Sequence, residues 1–302
     1  MRSTVTRWWY LVPPDIGVRH ITANGLEFGL LEAGGDGPLA LCLHGFPDTA
    51  HTWNYLLPQL ARAGFRAVAP FLRGYAPTGV PADGCYSLGA LVADVTALHD
   101  ALGGDGRAVL IGHDWGAEAA YGAVAFAPER WRRLVTLAVP PRALDQVLFS
   151  DYEQLKRFFY LFFIRDQDAD AESVAAAHDL AFLERLWRDW SPGLNPAGHL
   201  TAVKTSLRDP ANLAAALSYY RTPLTVSESY AAEEQATFRR AERPTLFLHG
   251  SADGCILARL LAGVEAELAP GSRHVTIPGA GHFLHLELPA LVNQHILSWI
   301  TA

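Results

Sequence analysis

Short apolar runs alternate with longer helix-forming segments through the first half of the chain, and this alternation limits the fold more than any other feature. The apolar runs lie at residues 39–43, 66–71, 109–111 and 134–139. Strands that are apolar on both faces are typical of parallel sheets covered by helices on both sides. We therefore predict an α/β fold in which helices link the strands, one of them over residues 51–63.

The sequence also predicts how the chain enters this sheet. Residues 1–17 carry no clear pattern and are interpreted as an N-terminal extension. Asn24-Gly25 then separates two runs of β-favouring residues. Asn-Gly suits the two positive φ angles of a two-residue hairpin turn. The sheet is thus expected to begin with an antiparallel hairpin and to be mostly parallel beyond it.

A long insertion interrupts the alternation. The pattern stops at Pro140-Pro141 and resumes at residues 244–250, and the residues between are helix-forming and rich in aromatic side chains. We predict a core of residues 18–140 and 241–302 with an inserted helical lid, or cap, at residues 141–240. Ligands of open parallel sheets bind beyond the carboxyl ends of the strands, so an insertion leaving from that edge would cover the site.

Composition narrows the possible partners. The net charge is −7 and no basic cluster stands out, so we expect no nucleic-acid partner. The three cysteines have no metal-ligand spacing and cannot all pair, which favours a reducing compartment. The apolar run at residues 158–164 is too short to cross a bilayer. We expect a cytoplasmic protein, monomer or homodimer, with no membrane, metal or cofactor partner.

The reactive group is predicted at Asp114. An apolar strand leads into Gly112-His113-Asp114-Trp115-Gly116, and an Ala-rich helical run follows. A strand, a tight glycine turn and a helix form a nucleophile elbow, which lifts its middle residue above the sheet. A carboxylate there suits attack on an electrophilic sp3 carbon, because the product is an ester that water can cleave. The alternative is that Asp114 only caps the helix.

Two further groups follow later apolar runs at the same predicted edge. Asp253 comes just after residues 244–250, and His282 follows the last predicted strand through a glycine-rich loop. In chain order the three groups are nucleophile, orienting acid and base, an order used by nucleophile-elbow enzymes. Asp145 is the alternative acid, and His285 is the alternative base.

Backbone amides can stabilise the negative oxygen that forms during such chemistry. The amide of Trp115 directly follows the predicted nucleophile, and the amide of Phe46 lies in the turn His44-Gly45-Phe46-Pro47 after an earlier strand. Both turns bring backbone N–H groups close to Asp114, so an oxyanion hole needs no side chain.

Together these motifs resemble the α/β-hydrolase superfamily from residue 18 to 301, and His-Gly-Phe-Pro with Gly-His-Asp-Trp-Gly resembles its epoxide hydrolase branch. The resemblance implies two lid tyrosines that protonate the epoxide oxygen. Tyr220, in Ser218-Tyr219-Tyr220-Arg221, matches one of them. Tyr160 is the candidate for the second, with Tyr152 as its alternative.

The resemblance implies conversion of an epoxide to a vicinal diol through an Asp114 ester, with water as co-substrate. The aromatic residues of the lid indicate a bulky apolar or aryl epoxide as the small-molecule substrate; they are Phe158, Phe159, Phe162, Phe163, Trp187 and Trp190. Fluoroacetate and haloalkane dehalogenases share much of both motifs, so a halide leaving group is the first alternative. A non-catalytic ligand-binding protein on the same scaffold is the second.

Overall fold

The computed structural model describes residues 16–166, 168–221 and 228–302, which form an eight-stranded sheet with helices on both faces. The strand order across the sheet is β1-β2-β4-β3-β5-β6-β7-β8. The strands are β1 (Gly17–Ala23), β2 (Leu26–Ala33), β3 (Leu39–Leu43), β4 (Arg66–Pro70), β5 (Ala108–His113), β6 (Trp131–Leu137), β7 (Thr245–Gly250) and β8 (Arg273–Ile277). The predicted N-terminal extension lies almost entirely outside the described residues.

The predicted hairpin opens the sheet. β1 and β2 pair antiparallel with Ala23 opposite Leu26, and the turn residues Asn24 and Gly25 have φ angles of 46° and 71°. β2 pairs antiparallel with β4, and every later pairing, from β4 through β8, is parallel. Every residue of β3, β5 and β7 is buried, as expected for strands covered on both faces. The predicted α/β architecture, a mostly parallel sheet that begins with a hairpin, is therefore confirmed.

Most helices that surround the sheet follow strands in the predicted alternation, and the one at residues 231–236 lies within the segment predicted as the cap. These helices are α1 (Leu57–Arg62), α2 (Leu88–Ala101), α3 (Trp115–Phe126), α10 (Ala231–Ala236), α11 (Leu284–Glu287) and α12 (Pro289–Thr301). The single helix predicted over residues 51–63 is wrong, because a short 3-10 turn at Ala50–Trp53 precedes α1. Pro58 lies in the first turn of α1, where its missing N–H leaves no helical bond unmade, and the α-helix begins there.

A helical region lies between β6 and β7. It contains α4 (Asp145–Leu148), α5 (Tyr152–Arg157), α6 (Phe159–Arg165), α7 (Ala171–Trp190), α8 (Ala197–Leu207) and α9 (Pro210–Arg221). α7 is interrupted at residues 177–180, where His178, Asp179 and Leu180 have positive φ. After it, α10 packs on α2, and the Gly89 amide donates to the Glu234 carboxylate over 2.6 Å. The division into core and cap at residue 240 stays a prediction.

Two composition-based expectations can be compared with the described ranges. Within them, no helix is both long enough and apolar enough to cross a bilayer. Cys42, Cys85 and Cys255 are buried free thiols. The cytoplasmic location and the oligomeric state stay predictions.

Candidate active site

Asp114 lies on a sharp turn between β5 and α3. Its φ and ψ angles are 53° and −122°, outside the conformations that non-glycine residues favour. Gly112 and Gly116 make the turn possible. A Cβ on Gly112 would lie 2.2 Å from the Gly116 carbonyl oxygen, and one on Gly116 would lie 2.3 Å from the Leu43 carbonyl oxygen. The elbow therefore depends on these two glycines, and it raises Asp114 above the carboxyl edge of the sheet.

The Asp114 carboxylate is held in one orientation. The Phe46 N–H donates to its Oδ1 over 2.7 Å, and its Oδ2 lies 3.6 Å from His282 Nε2. A Cβ on Gly45 would lie 2.3 Å from Oδ1, so only a glycine at this position lets the loop approach Asp114 so closely. Burial tends to raise the pKa of Asp114, but His282 and the Phe46 amide outweigh it and lower the pKa below its usual value. The carboxylate is therefore ionised at neutral pH.

His282 lies between two carboxylates. Its Nδ1 is 3.0 Å from Asp253 Oδ2, while Asp253 Oδ1 accepts hydrogen bonds from the Cys255 and Ile256 amides over 2.7 and 2.9 Å. Burial tends to lower the pKa of His282, but the charges of Asp253 and Asp114 raise it to about 10. At neutral pH the resting site is thus an imidazolium between two carboxylates.

The end of α7 holds the two loops that carry Asp253 and His282. The Trp190 carbonyl accepts hydrogen bonds from the His282 and Gly254 amides, over 3.0 and 2.9 Å. A Cβ on Gly254 would lie 1.9 Å from the Asp189 carbonyl oxygen. The helical region therefore positions two of the three candidate groups in addition to covering them.

The alternative acid and base make their contacts with other residues. Asp145 faces Arg142, with its Oδ2 3.7 Å from the guanidinium Nε. His285 is 2.5 Å from Thr52 Oγ1 through its Nε2, and its ring stacks on Trp53. The structure thus places His282, and not His285, next to Asp114, and places Asp253, and not Asp145, next to His282.

Tyr160 and Tyr220 meet above Asp114. Each is 3 % exposed, and their ring centroids are 5.5 Å apart. Tyr160 Oη lies 3.5 Å from Cys255 Sγ, whereas Tyr220 Oη is buried without a hydrogen bond to any described residue. Burial raises both pKa values well above the usual value of a phenol, so both stay protonated. Tyr152 is 74 % exposed, on the surface of α5.

The two expected oxyanion amides differ in their contacts. The Phe46 N–H is bonded to the carboxylate of Asp114. Trp115 is the first residue of α3, so its N–H is among those with no acceptor inside the helix. Its ring packs edge-on against Tyr220, with centroids 5.3 Å apart.

A cavity opens over Asp114, between the sheet edge and the helical region. Its lining is apolar around the tyrosines, but it includes a polar end that the sequence analysis missed. Of the lid phenylalanines noted in the sequence, Phe158 lines the cavity, while Phe159 and Phe162 are half exposed at the surface. The lining residues are Leu88, Asp114, Trp115, Glu118, Val139, Arg142, Asp145, Leu148, Phe149, Phe158, Tyr160, Leu161, Arg165, Tyr220, Cys255 and Ile256.

A second buried polar cluster lies behind His282, and no pattern in the sequence indicated it. Asp48, His113 and His285 each place one oxygen or nitrogen within 4.8 Å of the others. His113 Nε2 is 3.1 Å from the His282 carbonyl, so it donates there and its Nδ1 is an acceptor. Burial keeps His113 neutral and raises the pKa of Asp48 to about 7. These are ligand types used by divalent cations and by bound water.

Comparison with known proteins agrees with this geometry. Residues 38–289 match the family described as alpha/beta hydrolase fold. Epoxide hydrolase A of Mycobacterium tuberculosis is 31 % identical, over 94 % of this chain and 97 % of its own length. An epoxide hydrolase of Caballeronia sordidicola is 28 % identical, over 93 % and 92 %. The inhibitor complex of Bacillus megaterium epoxide hydrolase superposes with a TM-score of 0.80 at 25 % identity, covering 94 % of this chain and all of that one.

The chain is therefore a hydrolase of the α/β-hydrolase family. These three relatives each cover 93–94 % of the chain, and all three are named as epoxide hydrolases. Within the family the chain belongs to the epoxide hydrolase branch, as the sequence motifs predicted.

Proposed function

We propose that this protein hydrolyses epoxides to vicinal diols through a covalent ester on Asp114. The observation that carries the proposal is an ionised carboxylate at the elbow, facing two buried phenols in one cavity. Carboxylate attack on an epoxide carbon requires a proton donor for the oxygen that is released. A phenol that stays protonated at neutral pH supplies one.

In the first step, one Asp114 oxygen attacks an epoxide carbon and the ring C–O bond breaks. The oxygen that is released takes a proton from Tyr160 or Tyr220. The resulting phenolate takes a proton from the His282 imidazolium, directly or through water. The products of the step are a glycol monoester, a neutral phenol and a neutral imidazole.

Loss of the Asp114 charge prepares the second step. The resting imidazolium is stabilised by two carboxylates, and esterification removes the one nearest to Nε2. Neutral His282, oriented by Asp253, then takes a proton from water, and the resulting hydroxide attacks the ester carbonyl. The Phe46 and Trp115 amides stabilise the oxyanion. Collapse releases the diol and restores the Asp114 carboxylate and the imidazolium, so epoxide plus water gives diol.

A product assay tests this function. Purified protein is incubated with styrene oxide, an aliphatic epoxide, fluoroacetate and a chloroalkane, and diol and halide are measured in parallel. Diol alone supports the proposal. Halide alone would instead indicate a haloalkane or haloacetate dehalogenase, and tight ligand binding with no product would indicate a non-catalytic binding protein.

A trapping experiment tests the covalent step separately. In His282→Gln the base of the second step is missing, so we expect intact-protein mass spectrometry to show an adduct equal to one epoxide, located on the peptide containing Asp114. Asp114→Asn is the matched control and should carry no adduct. A folded His282→Gln protein that turns over without an adduct would refute the ester scheme.

A further inference from the structure

Glu118, in the first turn of α3, and Asp114, the residue that precedes α3, line the same cavity. Glu118 is four residues after Asp114, which places it one helical turn further along, about 6 Å away along the helix axis. Both residues line the cavity. The cavity therefore runs from the reacting carboxylate and the two phenols to a second, distinct carboxyl group.

One oxygen of the Glu118 carboxyl, the buried Oε2, has no hydrogen-bond partner among the described residues. The guanidinium of Arg142, which lines the same cavity, makes its contacts with other residues. Its Nη1 donates to Thr237 Oγ1 over 2.6 Å, its Nε faces Asp145, and its guanidinium lies 4.0 Å above the Phe238 ring. A buried polar atom without a partner costs stability, and a ligand that enters the cavity can supply the missing hydrogen bond.

The charge at this end of the cavity is balanced. Arg142 and Asp145 offset one another. Burial, with a contribution from Asp145, raises the pKa of Glu118 to about 8. At neutral pH Glu118 is therefore mostly a neutral carboxylic acid, able both to donate and to accept a hydrogen bond. A neutral polar group suits such a site better than an ion.

We propose that Glu118 binds a neutral oxygen group of the substrate, a hydroxyl or carbonyl, placed about five bonds from the epoxide ring. Five bonds of an extended chain span about 6 Å, the same as the helical rise over the four residues from Asp114 to Glu118. The preferred substrate is then an oxygenated epoxide with an apolar body, and not the plain apolar or aryl epoxide expected from the lid aromatics. This specificity rests on the proposed epoxide hydrolase function.

The test uses two probes with equal numbers of heavy atoms, 5,6-epoxyhexan-1-ol and 1,2-epoxyheptane. The readout is the ratio of their kcat/KM values, in which any change common to both probes cancels. Replacing Glu118 by Leu should lower the hydroxyl-over-alkyl ratio roughly tenfold, the effect of one lost hydrogen bond plus a new apolar contact. Glu118→Gln keeps a donor and an acceptor and should retain the ratio. Glu129→Leu, at an exposed glutamate just after α3, is the matched control and should also retain it.

Two results would overturn the proposal: a ratio in Glu118→Leu equal to that of the wild type, or a loss in Glu118→Gln as large as in the leucine variant. Glu118→Ala replaces the leucine variant if that protein does not fold. Binding of the corresponding products, hexane-1,2,6-triol and heptane-1,2-diol, is measured by calorimetry on the same variants. If no epoxide is turned over, the proposed function fails, while the triol-over-diol preference still tests recognition by Glu118.

Discussion

Asp114→Asn should lower the pKa of His282 strongly. The substitution keeps the size of the side chain and removes its negative charge, as esterification would. Asp114 Oδ2 is 3.6 Å from His282 Nε2, and the Asp253 contact on Nδ1 stays in place. At an effective dielectric constant of about 20, a charge pair at this distance is worth about 4 to 5 kcal/mol. That energy corresponds to a shift of about three pH units in the His282 titration.

The wild-type imidazolium, with a pKa of about 10, should stay protonated through neutral pH, while that of the variant should titrate close to neutrality. NMR of protein with isotope-labelled histidine measures the His282 titration in the wild type and in Asp114→Asn. The signal that is missing in His282→Gln identifies the His282 resonance. Asp145→Asn is the matched control, because it removes a carboxylate from the same cavity that pairs with Arg142. Equal His282 midpoints in the wild type and Asp114→Asn would refute the charge coupling on which the two-step scheme depends.

Two further predictions address the phenols and the elbow. Tyr160→Phe and Tyr220→Phe should each lower kcat/KM for epoxides at least tenfold, and the double variant about 1000-fold, because the released oxygen loses its proton donors; a double variant with wild-type turnover would contradict this role. Gly112→Ala should lower the free energy of unfolding by more than about 2 kcal/mol in urea titrations, because its Cβ would meet a backbone oxygen at 2.2 Å. Gly198→Ala, in α8 with open space at its Cβ position, is the control and should stabilise by up to about 1 kcal/mol; equal losses in the two variants would contradict the steric argument.

Local chemistry made part of the structure predictable from sequence. Asn24-Gly25 specifies its own turn, and the glycines around Asp114 specify the elbow, because each depends on backbone angles within a few residues. Glu118 was not predicted to line the site, although it follows Asp114 by four residues, about one turn of a helix. The Ala-rich run around it was interpreted only as a helix, and a count of four residues would have placed both carboxyls on one face.

Long-range packing explains the features that no pattern revealed. Asp48, His113 and His285 are far apart in the chain and are brought together only by the tertiary structure. The choice of Tyr160 over Tyr152 as a cavity residue was likewise open in the sequence. It depends on how α5 and α6 lie over the sheet, which leaves Tyr152 in solvent and buries Tyr160.

The Phe46 hydrogen bond makes the two oxygens of Asp114 unequal. Oδ1 is fixed by the amide, and Oδ2 is the oxygen left to bond with carbon. In the ester scheme the diol departs with Oδ2, and the oxygen of the attacking water takes its position. Oδ1 of Asp114 would then never exchange. Oδ2 would be transferred to the product and replaced by a water oxygen at every turnover. In water enriched in a heavy oxygen isotope, Asp114 would retain a single heavy oxygen. The diol released in each catalytic cycle would contain the water oxygen that Asp114 acquired in the previous cycle.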